Sequence, residues 1–338
     1  MSTGCPQFVP GAPCVLSQRA KASMNDSAPF PITTLQIPNP FFEGRNGVYV
    51  IHSDPLTVID TGVATEKSQR ELREQLQANG LAIQDIGRIV LTHKHIDHVG
   101  NAWWLQEESG ADILIHELET SSISDVDPQG QRWRDLIMER FDFWNVPAEI
   151  KPDPSAAGAF AWDIRPATPT AITGGQTIDL NGTGLEVIHT PGHTRGSVCL
   201  KLGRVLFSGD HVLPDISPNI GGGDLKHQGL LTSFLSSMKL CQVLASEVDT
   251  VLPGHGQPFE NLYERCQSLT DHHEKRLAQI MGILSQRGPL NAYSVAIEMF
   301  GPLADMHVVL GCAEAQAHLE YLIDEGRVTS GDGLYSVS

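Results

Sequence analysis

A chain of 338 residues with 41% hydrophobic side chains carries enough apolar material for one large packed domain and a small second one. Its formal charge, 23 − 40 = −17, argues against a general polyanion-binding surface. Six cysteines without a CxxC pair read as reduced thiols of a cytosolic protein, and no apolar run approaches the roughly 20 residues that a bilayer crossing needs.

Residues 1–30 contain Pro, Ser and Ala without a helical or strand period and read as a loose leader. From Ile32 the pattern turns to strands. Gly47–His52 and Leu56–Asp60 are β-branched runs around the turn Ser53-Asp54-Pro55, a predicted hairpin. Asp60 follows the second strand, placed either to cap the turn or to orient a ligand histidine. Lys67–Ala78 has helical spacing, with Leu72 and Leu76 on one face, and Asn79-Gly80 ends it.

The buried run Ile89-Val90-Leu91 then leads into His93-Lys94-His95-Ile96-Asp97-His98, three imidazoles and a carboxylate in six positions. These are first-choice ligands for Zn²⁺ and similar ions. His93 and His95 are two apart and leave extended chain on the same side. Asp97 and His98, in the turn and the first helical residue, face a second position, which admits a second metal. Lys94 and Ile96 are spacers with no assigned chemistry.

A helix through Trp103-Trp104-Leu105 and a strand Ile113–His116 follow, the grammar of a layered α/β fold. Residues 119–176 lack a strong strand period. Within them Gln131–Trp144 is an amphipathic helix carrying Trp133, Leu136, Ile137, Phe141 and Trp144, suited to a lid or to docking on the core. Three further strands end in ligand-type residues: Leu185–His189 runs toward His193, Val205-Leu206-Phe207 toward Asp210, and Thr250-Val251-Leu252 toward His255. Each is weak alone, but the ends of neighbouring strands converge on one edge of a sheet. His189 and His211 are expected to hydrogen-bond rather than to coordinate, and His116, His227, His272 and His273 to be surface or packing residues. A long loop from Asp210 passes through Gly221-Gly222-Gly223. At the C-terminus Glu274–Ser285, Ala292–Phe300 and Leu310–Glu325 are predicted helices, followed by a hairpin of Arg327–Thr329 with Leu334–Ser336.

The run His93-Lys94-His95-Ile96-Asp97-His98, with His193, Asp210 and His255 in order, resembles the ligand set of the metallo-β-lactamase-fold hydrolases, over about Ile32 to Phe259. The resemblance implies an α/β fold, an αββα sandwich of two mixed sheets between helices, with a dinuclear site at one edge. It places one ion on His93, His95 and His193, a second on Asp97, His98 and His255, and Asp210 between them. The complete set is similar to the glyoxalase-II-like and lactamase-like type 2 branches more than to true lactamases, which use a cysteine where Asp210 stands. The expected division is a leader over 1–30, a catalytic domain over 31–265 and a winged-helix-like domain over 266–338.

The chemistry expected is hydrolysis of a small ester, thioester or lactone by a hydroxide shared between two divalent ions about 3.5–4 Å apart, with Asp97 as the catalytic carboxylate. Zinc suits this donor set; iron and manganese are compatible. Two alternatives share the fold: a single-strand-specific endoribonuclease and an iron-dependent oxidoreductase. Residues 271–338 hold 4 basic and 9 acidic side chains, 4 − 9 = −5, which favours a packing or homodimerisation module over a nucleic-acid reader.

Overall fold

The computed structural model describes residues 28–127, 130–151 and 164–338; of the expected leader, only the last three residues fall within them. Two sheets form the centre. β1 (Ile32–Pro38), β2 (Arg45–Ile51), β3 (Leu56–Ile59), β4 (Ile86–Val90), β5 (Asp112–His116) and β6 (Pro169–Ile172) lie side by side in that order. Pairing is antiparallel as far as β3 and parallel from there on. The second sheet holds β7 (Thr177–Asp179), β8 (Gly184–His189), β9 (Val198–Leu202), β10 (Val205–Gly209) and β11 (Thr250–Pro253), with β10 and β11 parallel and the other pairs antiparallel.

The two-residue period of a strand decides the layers. In β2, Val48 and Val50 face a core shared with Leu72 and Leu76 of α1 (Glu66–Ala78) and with Trp103 and Leu105 of α2 (Ala102–Ser109). Tyr49 and Ile51 face the other way, toward Val205 and Phe207 of β10, between the sheets. Leu206 turns from those two into a third core, built with α3 (Gln131–Phe143), α4 (Leu230–Leu244), α5 (Leu262–Arg287), α6 (Ala292–Phe300), α7 (Met306–Asp324) and the hairpin of β12 (Val328–Gly331) and β13 (Leu334–Val337). The layers run helix, sheet, sheet, helix, the αββα sandwich that the resemblance implies, with a helical C-terminal region.

Local chemistry sets the boundaries. The Thr65 hydroxyl accepts from the Ser68 amide and starts α1 one residue before the predicted Lys67. The stretch 119–176, read as lacking a strong strand period, supplies β6; four residues beginning with proline carry too little alternation to be read, and the edge position leaves no donor missing from a ladder. The helix α4 has no counterpart among the expected elements. Of the two readings of the Gln131–Trp144 helix, docking holds: Ile137, Phe141 and Trp144 are buried in the third core. Lifting it as a lid would expose all three, at roughly 5–9 kcal/mol for about 1.5–3 kcal/mol each.

α5 begins at Leu262 instead of Glu274 and runs across the expected domain boundary at 265/266. Its buried line is Leu262, Cys266, Leu269, His273, Leu277, Ile280 and Leu284, so the apolar stripe continues through a histidine. Cys199, Cys241, Cys266 and Cys312 are free, buried thiols. No helix among the described residues is long and apolar enough to cross a membrane.

Candidate metal centre

All seven predicted residues lie just past the C-terminal ends of β4, β8, β10 and β11. Hydrogen bonds hold those ends in place: the Gly254 amide donates to the Gly209 carbonyl at 2.8 Å, joining β11 to β10, the Tyr49 hydroxyl of β2 to the Pro253 carbonyl at 2.6 Å, and the Val198 amide of β9 to the Thr92 carbonyl past β4 at 2.9 Å. His93 leaves the end of β4, and His95 caps a single helical turn, Ile96–Val99, that holds Asp97 and His98.

The side chains meet in two groups. Donor atoms of His93, His95, His193 and Asp210 lie within 4.8 Å of one another, and so do those of Asp97, His98 and His255. Asp210 touches both: Oδ2 is 3.6 Å from His193 Nε2 and 3.9 Å from His93 Nε2, but also 3.3 Å from His255 Nε2, while Oδ1 is 3.3 Å from His98 Nε2. Ligands about 2.0–2.1 Å from a tetrahedral ion stand about 3.3 Å apart, close to these spacings.

Hydrogen bonds on the far side of each ring fix which nitrogen faces inward. His98 Nδ1 donates to Asp60 Oδ2 at 2.8 Å, His193 Nδ1 to the Asn219 carbonyl at 2.9 Å and His255 Nδ1 to the Arg45 carbonyl at 2.9 Å. The Thr92 hydroxyl donates to Asp60 Oδ2 at 2.8 Å and so accepts from His93 Nδ1 at 3.1 Å. Each of the four rings is left with its Nε2 pointing inward at carboxylates or at another ring nitrogen, and His93 Nε2 is buried without a hydrogen-bond partner. His95 is turned the other way, its Nδ1 2.9 Å from His193 Nε2. Lone pairs facing lone pairs and carboxylates fit a cation, and the donor set fits a divalent ion such as zinc.

Charge divides the groups. Burial holds His93 and His193 below the ordinary imidazole range and, with His193 beside it, brings His95 to about 3, so these three rings are neutral at pH 7. Burial also opposes charge on His98 and His255, but Asp210 and Asp97 outweigh it and raise both well above the usual value; those histidines in turn hold Asp97 and Asp210 below the carboxylate range. A raised pKa means a bound proton at neutral pH that an ion must displace, so affinity at the second group rises with pH. Zinc titrated into metal-free protein at pH 7, in buffers of different ionisation enthalpy, is expected to release about two protons more for the second group than for the first. Equal release at both would contradict this assignment of charge.

Some of the supporting residues were not legible as such. Asp60, left between two roles, fills both: Oδ1 accepts the Thr92 amide at 2.8 Å and Oδ2 orients His98 directly and His93 through Thr92. The buried Asn46 donates to Asp97 Oδ2 at 3.1 Å. Lys94, expected to be a mere spacer, pairs with Asp224 at 2.8 Å, and Asp224 also accepts the Arg195 amide at 2.8 Å and His227 Nδ1 at 2.7 Å, tying the two histidine loops together. Glu43 in the β1–β2 turn senses the charges of His255, Asp97 and Asp210, and burial raises its carboxyl.

The remaining histidines stay out of both groups. His189 Nε2 donates to the Arg195 carbonyl at 2.8 Å and stacks on His116 at 4.2 Å. His211, expected to hydrogen-bond, instead packs against Phe234; its ring nitrogens have no partner among the described residues, and burial brings its pKa to about 3.

The family model of the metallo-beta-lactamase superfamily matches residues 42–255. A probable metallo-hydrolase, YqjP, of Bacillus subtilis (strain 168) is 28% identical over 312 residues, covering 88% of this chain and 94% of that one. A human acyl-coenzyme A thioesterase, MBLAC2, is 28% identical over 246 residues, 65% of this chain and 76% of that one. The crystal structure of a metallo-beta-lactamase family protein from Thermus thermophilus superposes with a TM-score of 0.77 at 26% identity, covering 91% of this chain and 98% of that one. With the matched segment spanning more than half of its residues and ending at His255, the chain belongs to the metallo-beta-lactamase superfamily.

Proposed function

We propose that this metallo-hydrolase holds two divalent ions, one on His93, His95 and His193 and one on Asp97, His98 and His255, with Asp210 shared, and cleaves a small ester, thioester or lactone. The observation that carries the reading is the inward set of ring nitrogens facing two ionised carboxylates, with His93, His98, His193 and His255 each fixed by a hydrogen bond behind the ring. Zinc is the favoured metal, with iron or manganese compatible. When bound, such a pair supplies a water of lowered pKa and a positive clamp for the oxygens of the attacked carbonyl.

The chain's own part is placement and proton handling. Asp97, held by Asn46 and 3.2 Å from His255 Nε2, is placed to accept the proton of the attacking water. A thioester is favoured among the carbonyl substrates because the human relative is named an acyl-coenzyme A thioesterase. The net charge of −17, and the pairing of Lys94 with Asp224, speak against a single-stranded RNA substrate. In this reading residues 31–265 are the catalytic unit, and residues 266–338 form a winged-helix-like element that packs or pairs copies in a homodimer rather than reading nucleic acid. Cytoplasmic residence fits the free thiols.

Metal analysis with a panel of acyl thioesters, esters, lactones, phosphodiesters and single-stranded RNA tests this. Thioester cleavage is expected, lost on chelation and restored by Zn²⁺, and Asp97→Ala at full metal occupancy should lower turnover by about 10²–10⁴-fold. Full activity in metal-free protein would sink the reading. Cleavage of RNA alone would move it to the nuclease branch, and oxygen uptake confined to iron-loaded protein to the oxidoreductase branch.

A further inference from the structure

The hydrogen bonds of the C-terminal helices lead into the centre. Glu314 on α7 is buried, and its Oε2 accepts from the Ile220 amide at 2.8 Å and from Asn219 Nδ2 at 3.0 Å. Its Oε1 accepts from Arg276 Nη1 on α5. Asn219 Nδ2 donates also to the Leu310 carbonyl at 3.1 Å, and Asn219 Oδ1 accepts the Gly222 amide at 2.9 Å. The backbone carbonyl of this same Asn219 takes the Nδ1 proton of His193.

Glu314 also lies with His273 and His318 in a buried cluster whose donor atoms fall within 4.8 Å of one another. That cluster does not call for an ion. His318 Nδ1 donates to the Glu314 carbonyl at 2.7 Å, so its Nε2 accepts from His273 Nδ1 at 3.1 Å, and His273 Nε2 faces the Ser217 hydroxyl at 3.4 Å. Every ring nitrogen already has a partner, whereas His93 Nε2 and His95 Nε2 in the metal centre have none. What the cluster does is grip the loop Ser217–Ile220.

We propose that Glu314 is a positioning residue for the three-histidine half of the centre, so that the C-terminal helices, through Ile220 and Asn219, complete a metal site whose ligands all lie in the other part of the chain. The inference rests on the two-ion reading above. Without the carboxylate, the buried Ile220 amide loses its acceptor and Asn219 Nδ2 keeps only the Leu310 carbonyl; the loop relaxes toward water and carries the Asn219 carbonyl away from His193. Glutamine keeps the volume but must turn its NH₂ toward either the two loop donors or Arg276.

The test is a Co²⁺ titration of metal-free, full-length protein. The wild type is expected to bind in two phases, and Glu314→Gln to weaken one of them by about 10–100-fold while leaving the other within about twofold, the cost usual for removing an outer partner of a ligand. Asn219→Ala, a change in a half-buried loop that leaves the helix core intact, should weaken the same phase. Gln316→Ala, on the same helix but bonded to Glu320 and Tyr335, is the control for general destabilisation and should leave both phases unchanged. Wild-type binding by both Glu314→Gln and Asn219→Ala, or equal weakening of both phases, or the same loss in Gln316→Ala, overturns the proposal while the two-ion reading stands. A wild type that binds no Co²⁺ overturns the two-ion reading and the proposal with it.

Discussion

Asp210→Asn is expected to leave less than one ion per chain after dialysis and to lower kcat/KM by about 10³–10⁵-fold, a loss of about 4–7 kcal/mol of transition-state stabilisation. The reason is position. Among the described residues Asp210 is the one side chain whose carboxylate reaches both groups, with Oδ2 3.3 Å from His255 and 3.6 Å from His193 and Oδ1 3.3 Å from His98. Asparagine fills the same space but turns an NH₂ toward one half of the centre and removes a charge that offsets the ions. Metal analysis and steady-state kinetics on the same preparation check it. Retention of two ions and of wild-type turnover would remove Asp210 from the centre.

A second large effect is expected from a single methyl group. A Cβ at Gly254 would collide with Asp210 Oδ1 and stand 2.8 Å from His98 Cε1, inside any allowed contact. The residue has no positive φ, so the left-handed conformation is no obstacle to Ala; the strain falls first on the two side chains it meets and then on the Gly209 backbone, 3.1 Å away. Gly254→Ala is therefore expected to fold, with metal-free melting within a few degrees of wild type, yet to displace Asp210 and lower kcat by about 10²-fold, the usual cost of a shift near 1 Å at a reacting centre. Melting and turnover measured together separate this from simple destabilisation. A variant that loses both in proportion, or neither, contradicts the argument.

The two effects differ in how far the sequence foretold them. Asp210 is visible as a carboxylate after the apolar strand Val205-Leu206-Phe207, where burial without a partner would be costly. The crowding at Gly254 is invisible there, because the atoms it approaches come from Gly209, Asp210 and His98, on other segments of the chain.

What the sequence determined by itself is local. The β-branched run of β2 and the apolar run of β10 marked strands, and the six-residue run from His93 to His98 set four ligand-type groups within reach of one another before any tertiary contact formed. What only the tertiary structure decided lies across long separations: Asp60 orienting His98, Glu314 holding Ile220, Asp224 joining Lys94 to Arg195, and the docking of Ile137, Phe141 and Trp144 where a lid was an equal reading. Ligand type and strand period are properties of neighbouring residues and survive in one dimension. The acceptor behind a ring and the partner of a buried carboxylate depend on which strand ends and helices packing brings together, and that has no local signature.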